Sequence, residues 1–267
     1  MTFLDDLLDG ARRRVEEARS AEPFDALRKR AAEGPLPPGF ADALARPGVG
    51  VIAEIKRASP SRGDLAPGID AVAQARAYRA GGAVAISVLT EPERFKGSLD
   101  DLAGVSALGT PTIRKDFVVD RYQIWEARAA GAAAILLIVA ALDEDTLFDL
   151  YGEARAAHLD VLVEVHDEAE LEVAGELGAK VIGVNARDLR TFDVDRDAFA
   201  RLRPSFPDRV LAVAESGISG PEDVRRAAEA GADAVLVGES VVTADDPTAT
   251  VAAMVAAGAP DERGPGA

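Results

Sequence analysis

Four stretches of the chain resemble one another: "GGAVAISVL" from Gly81, "GAAAILLIV" from Gly131, "GAKVIGVN" from Gly178 and "GADAVLVGES" from Gly231. Each opens on glycine after a helix-like run, such as "DVRRAAEA" before Gly231, and continues as a short apolar segment. A glycine there can end the helix in a left-handed turn, and the segment after it has the length of a strand. The glycines recur roughly every 50 residues, about twice the span of one βα unit, so a further strand is expected in each interval. Those strands are legible as "VGVIAEIK" from Val49, "TPTIRKDF" from Thr110, "DVLVEVHD" from Asp160 and "RVLAVAES" from Arg209. Helical runs such as "IDAVAQARAYRA", "YQIWEARAA", "DEDTLFDLYGEARAA" and "EAELEVAGEL" lie between them.

Apolar runs this continuous suit parallel strands covered on both faces. Eight strands, each followed by a helix, in a chain of 267 residues match a single α/β domain. The expected fold is a (β/α)8 TIM barrel over residues 1–257, with an open doubly wound sheet as the alternative. Residues 1–45 precede the first strand. Their helical runs at Phe3–Ser20 and about Pro23–Ala32, followed by "GPLPPG", predict a helical extension packed across one mouth of the barrel. The end, residues 258–267, reads as a disordered tail.

Charge and composition narrow the function. A net charge of −16 disfavours nucleic-acid backbones and anionic membranes. The absence of cysteine excludes disulfides, thiolate metal sites and thiol nucleophiles. No stretch reaches the ~18 apolar residues of a membrane span, and the first 20 residues mix apolar and charged positions at helical spacing, unlike a signal peptide. A soluble cytoplasmic protein with a small-molecule ligand is the expectation, and an anionic ligand would need a locally positive site.

In such a barrel, functional groups collect at the carboxyl ends of the strands. The first polar residues after each apolar run are Glu54, Lys56 and Ser59; Lys115 and Asp116; Glu164 and His166; Asn185 and Arg187; Glu215 to Gly217; and Gly238 to Ser240. Period-two alternation puts Ile52, Glu54 and Lys56 on one side of their strand, and Leu162 and Glu164 on one side of theirs. The opposite sides are wholly apolar and can pack on helices, so the charged sides should face the barrel axis. Buried charge is costly unless paired or used. Internal ion pairing, Glu54 with Lys56 or Lys115 with Glu164, is the plain reading.

The identity of the cations points further. Only five of the 30 basic residues are lysine, yet two of these, Lys56 and Lys115, sit at strand ends. Arginine holds an anion but does not release its proton near neutral pH, whereas a lysine with a lowered pKa does. Lys29 and Lys96 read as surface, and Lys180 as the bottom of its strand. Glycine-bearing loops after the last two strands, around Ser216, Gly217, Gly238 and Glu239, suit a phosphate cradle of backbone amides, or else simply tight turns. The "SPSRGDL" loop has the composition of a mobile lid in which Arg62 could close over a ligand. Phe95 and Phe117 stand amid polar residues at the same mouth, where they can grip an apolar group or plug the barrel. His158 reads as surface. His166 lacks metal-site company and reads as a helix start or a support behind the site.

In order along the chain, "IAEIKRASPSRG", "VLTEPERFKGS", "IRKDF", "LLIVAAL", "VEVHDEAEL", "GVNARDL", "AESGI" and "VGES" together resemble the indole-3-glycerol phosphate synthase family. The resemblance runs from about residue 3 to residue 257. It implies a carboxy-lyase of tryptophan biosynthesis acting on 1-(2-carboxyphenylamino)-1-deoxyribulose 5-phosphate, with no cofactor and no metal. By the same resemblance Lys115 protonates the substrate ketone, Lys56 meets an anionic group and serves as acid in dehydration, and Glu164 is a general base or acid supported by Glu54. Asn185 orients the reacting hydroxyls, Arg187 holds the anthranilate carboxylate, and Glu215 joins the polar network. Ser59 joins Ser216, Gly217, Gly238 and Glu239 around the phosphate, while Phe95, Phe117 and Leu137 line the aryl pocket. Arg62 stands where lysine is common, and "IVAAL" lacks a lysine seen in some members. A monomer with one activity and no fused second enzyme is expected. A Schiff-base aldolase and a non-catalytic phosphosugar-binding barrel are the alternatives.

Overall fold

The repeating strands close on themselves. In the computed structural model, which describes residues 3–188 and 191–260, eight parallel strands form a closed barrel in chain order. They are β1 (Gly50–Ile55), β2 (Ala85–Leu89), β3 (Thr112–Lys115), β4 (Ala134–Ile138), β5 (Asp160–Val165), β6 (Val181–Asn185), β7 (Leu211–Glu215) and β8 (Ala234–Val237). β8 pairs with β1 through Gly50↔Ala234 to Ala53↔Val237, which seals the cylinder and leaves it no sheet edge. The expected barrel is the fold found.

The helices of the repeat are α4 (Ala71–Ala80), α5 (Leu99–Ser106), α6 (Arg121–Ala129), α7 (Glu144–Ala156), α8 (Glu168–Glu176), α9 (Ala198–Leu202), α10 (Pro221–Glu229), α11 (Glu239–Val242) and α12 (Pro247–Ala257). Local chemistry starts them: the side chains of Asp70, Ser98, Asp120, Asp143, Asp167 and Asp246 each accept from backbone amides of the first turn. Regularity lapses after β6, where α9 spans only five residues.

Alternation along the strands divides the core in two. Val51, Ala53 and Ile55 of β1 and Val161, Val163 and Val165 of β5 belong to the layer between sheet and helices. Ile52, Ile113, Leu136, Ile138, Leu162, Val213 and Leu236 fill the cylinder itself. The amino-terminal extension, α1 (Phe3–Ala21), α2 (Phe24–Glu33) and α3 (Phe40–Leu44), reaches both mouths rather than one. Phe3, Leu4 and Leu7 of α1 line the cavity at the carboxyl end. Buried Phe40 and Leu44 of α3 join the interior cluster from the amino end, where the Ala41 amide donates to Asp160, the first residue of β5. Gly258, expected in a disordered tail, instead accepts the Val49 amide at the start of β1. The rest of that tail, from residue 261, lies outside the described residues.

Candidate active site

The strand register brings the polar ends together. Glu54 of β1 lies beside Ser87 of β2, Glu164 of β5 lies between Ile138 of β4 and Gly183 of β6, and Asn185 of β6 lies beside Glu215 of β7. Lys115 Nζ sits 3.1 Å from Glu164 Oε2 and 3.2 Å from Glu215 Oε2. Lys56 Nζ is 2.8 Å from Glu54 Oε1, and Ser87 Oγ donates to Glu54 Oε2 at 3.3 Å. Asn185 Nδ2 donates to Glu164 Oε1 at 3.0 Å; its amide is oriented by Ser216 Oγ and the Arg187 N–H, which both donate to its Oδ1. Two glycines make room for this layer. A Cβ on Gly183 would collide with the Glu215 carboxylate, and one on Gly238 would come within 2.6 Å of Glu54 Oε1 and 2.9 Å of Lys56 Nζ.

Proton affinities follow from this packing. Burial works against the Lys115 ammonium, but the carboxylates of Glu164, Glu215 and Glu54 outweigh it and raise its pKa. This direction is opposite to the lowered lysine expected from desolvation, because several carboxylates surround one ammonium. Burial favours the neutral form of Glu54 and Glu164, yet both are held below the ordinary value, Glu54 by Lys56 and Lys115, Glu164 by Lys115, His166 and the Asn185 amide. Glu215 is the exception. Burial pushes it up to about 7, against the pull of Lys115 and with the help of Glu164. Its Oε1 is buried without a hydrogen-bond partner, as a carboxyl group waiting for a ligand or a proton would be.

A cavity of about 410 Å³ opens over this layer. Its walls include every sequence-assigned site residue except Leu137. Leu137 is fully buried on the helix side of β4, whereas its neighbours Leu136 and Ile138 face the cavity. The phase of β4 is set by pairing, since Ile138 stands opposite Glu164 in the ladder. At the apolar end Phe95 and Phe117 lie with ring centroids 6.3 Å apart. At the opposite end Ser216 and Gly217 both take positive backbone φ angles, 64° and 72°. Gly238 there precedes the four-residue α11. Arg187 donates to the Phe192 carbonyl at 3.0 Å and lies 3.5 Å from Ser61 Oγ. The "SPSRGDL" loop is a small antiparallel ribbon, Ala58–Ser59 against Gly63–Asp64, and Arg62 pairs with Glu239 at 3.3 Å.

Several residues support the site, and all but Asp116 escaped sequence reading. Asp116 accepts from Thr90 Oγ1, Arg114 and the Phe117 amide, which locks the turn carrying Lys115 and Phe117. Buried Glu91 accepts the amides of Glu93, Arg94 and Phe95 and so shapes the loop that delivers Phe95. Arg14 of α1 reaches both acids at 3.4 Å. Ser87 was hidden in an apolar run, and Arg196 lines the cavity from a loop without a distinguishing motif. Among the described residues no group of three or more His, Asp or Glu side chains is arranged to hold a metal ion.

The profile of the family described as "Indole-3-glycerol phosphate synthase" matches residues 4–254. The chain belongs to the indole-3-glycerol phosphate synthase family. The synthase of Streptomyces griseus is 53% identical over 260 residues, covering 97% of each chain. That of Mycobacterium ulcerans is 52% identical over 258 residues, covering 96% of this chain and 95% of its own. Solved structures show the same fold at lower identity. A thiamine phosphate pyrophosphorylase from Pyrococcus furiosus superposes with a TM-score of 0.61 at 16% identity, over 82% of this chain and 97% of its own. A 3-hexulose-6-phosphate synthase from Salmonella typhimurium gives 0.64 at 16% identity, over 78% and 98%. Membership in the synthase family makes the chain a decarboxylating lyase of tryptophan biosynthesis. Among the described residues no helix is long and apolar enough to cross a membrane.

Proposed function

We propose that the carboxyl-end cavity binds 1-(2-carboxyphenylamino)-1-deoxyribulose 5-phosphate and converts it to indole-3-glycerol phosphate by proton transfers among Lys115, Lys56 and Glu164. The observation that carries this reading is the placement of Lys115 between two buried carboxylates, 3.1 and 3.2 Å away, on the floor of a cavity with one apolar and one amide-rich end. The aryl ring lies against Phe95, Phe117, Leu136 and Ile138. Its carboxylate meets Arg187, and the phosphate meets the amides around Ser216, Gly217, Gly238 and Glu239, with Ser59 and Lys56 at the rim. A phosphate there draws Arg62 from Glu239.

The chemistry then balances. The aryl carbon bearing the carboxylate attacks the ketone carbon, and Lys115 donates a proton to the ketone oxygen as that bond forms. Carbon dioxide leaves, and its bonding pair restores the aromatic ring. The new hydroxyl departs as water with a proton from Lys56, which Glu54 holds in place. Glu164 removes the proton from the carbon beside nitrogen and completes the indole. Two protons are given and one is taken, so each turnover draws one from solvent. Glu215 is the adjustable member: when it is protonated, Lys115 is held less firmly and becomes a better acid. Proton transfers of this kind contribute roughly 10²–10⁴-fold each, and fixing both ends of the substrate supplies proximity. The test is incubation of the purified chain with the substrate while indole fluorescence is followed. Steady product formation is expected, and a chain that binds substrate without forming indole would sink the reading.

A further inference from the structure

Glu164 has a neighbour that lies outside the cavity wall. His166 stands two residues beyond it, at the carboxyl end of β5, and α8 follows immediately. Glu170 of α8 bends back so that its Oε2 lies 3.0 Å from His166 Nδ1 and accepts the His166 backbone N–H at 2.8 Å. The other ring nitrogen, Nε2, points inward, 3.6 Å from Glu164 Oε1, and is buried without a hydrogen-bond partner. Buried polar atoms are ordinarily satisfied, so an orphan aimed at an acid–base carboxylate calls for an account.

The ring's protonation can be argued from its neighbours. Beside a carboxylate acceptor, Nδ1 carries a hydrogen. A neutral ring would then present the Nε2 lone pair to a carboxylate oxygen, which is repulsive; an imidazolium presents N–H, which is attractive. Burial disfavours that charge, but Glu170 on α8, Glu164 on the same strand and Glu215 on β7 together raise the histidine's proton affinity. The remaining neighbours are the Asn185 amide and the Lys115 ammonium, which both bond Glu164, the Asp167 carboxylate that caps α8, and the uncharged turn Val139–Ala141 packed against α8.

We propose that His166, clamped by Glu170, is a positioning residue that keeps Glu164 ionised and takes over its Oε1 when substrate draws the Asn185 amide away. Asn185 Nδ2 donates to that oxygen at 3.0 Å. Once Asn185 turns to a substrate hydroxyl, a small shift closes the gap from Nε2. Glu164 then keeps a charged donor on each oxygen, Lys115 on one side and His166 on the other, until it accepts the carbon-bound proton. The inference rests on Glu164 being the base assigned above.

The experiment is the pH profile of kcat for wild type, His166→Gln and Glu170→Gln, with KM measured at each pH. Glutamine at 166 keeps a neutral donor of similar reach and removes the charge; glutamine at 170 leaves the histidine in place and removes its clamp. Losing the cation raises the proton affinity of Glu164, so activity should fall off at higher pH as the solution is acidified. The acid limb is expected to move up by about one unit in both variants, a loss that approaches tenfold only at pH values below the wild-type limb. At about pH 8.5 the variants should approach wild type, because Glu164 is ionised in all of them. KM should stay within about twofold throughout, since His166 touches no part of the substrate. An unmoved acid limb in Glu170→Gln, or kcat falling with KM rising equally at every pH, overturns the proposal. If His166→Gln fails to fold, Glu170→Gln decides alone, being a change at a helix end outside the barrel. Wild type without turnover would overturn both this inference and the assigned reaction, and the wild-type control identifies that case.

Discussion

The two mouths of this barrel are built from the same eight strands and solve opposite problems. At the amino end the interior closes with Phe40 and Leu44, fully or almost fully buried against Ile52, Ala85, Ala134 and Val181. At the carboxyl end the same inward-facing positions carry Glu54, Lys115, Glu164, Asn185 and Glu215 around open space. The apolar end gains its stability from burial, at about 25 cal/mol per Å². The polar end desolvates charges whose mutual attraction offsets only part of that cost, so its ion pairs are weak evidence of stabilisation. The contrast is between an end packed for stability and an end that gathers ionisable groups around a cavity. It also makes the two separable by mutation.

The sharpest break should come from Lys115→Arg. The charge and the fold remain, but guanidinium does not release its proton, so kcat should fall by roughly 10²–10⁴-fold. Indole fluorescence measures the loss and circular dichroism checks the fold; turnover near wild type would remove Lys115 from the acid role. The converse change is Phe40→Ala at the apolar end. It should cost about 3–5 kcal/mol in denaturant unfolding while leaving KM and kcat of the folded fraction within about twofold. A large change in KM there would show that the two ends are not independent.

Glu215→Gln tests the strain stored at the polar end. Because the folded-state pKa of Glu215 is raised from 4.5 to about 7, the native protein binds more protons than the unfolded chain across that window. Its stability contribution is therefore present at low pH and lost as pH rises towards 7. Glutamine removes that loss, so the variant should gain on wild type by up to about 3 kcal/mol between the two ends of the window. Parallel stability curves would show that Glu215 ionises freely. The smallest effect expected is from Gly183→Ala. The added Cβ meets the Glu215 carboxylate, which must move, at about 1–3 kcal/mol. The same step should lower kcat, and an active, equally stable variant would show that this carboxylate has room to spare.

Much of the site was readable because polar residues interrupt apolar runs. On β1 and β5 the phase of the alternation is marked by Glu54 and Glu164 themselves, and the structure turns both to the barrel axis. On β4 no such marker exists: "AILLI" is apolar throughout, so Leu137 and its neighbours Leu136 and Ile138 look alike in sequence. Ladder pairing with β5 decides which of them face the cavity. Glu91 and Arg14 were equally opaque, since their meaning lies in a hydrogen-bonded turn and in a helix 77 residues away.

By itself the sequence determined the barrel, through a period of strand and helix that admits few other packings, and it determined which residues stand at the strand ends. It also carried enough motif order to place the chain in its family. Only the tertiary structure decided the electrostatic character of those residues. Lys115 is held protonated, Glu215 is pushed towards neutrality and His166 is turned upon Glu164, because carboxylates from β1, β5, β7 and α8 converge within a few ångströms. Proton affinity depends on distances across the barrel, and such distances come into being only when the strands close.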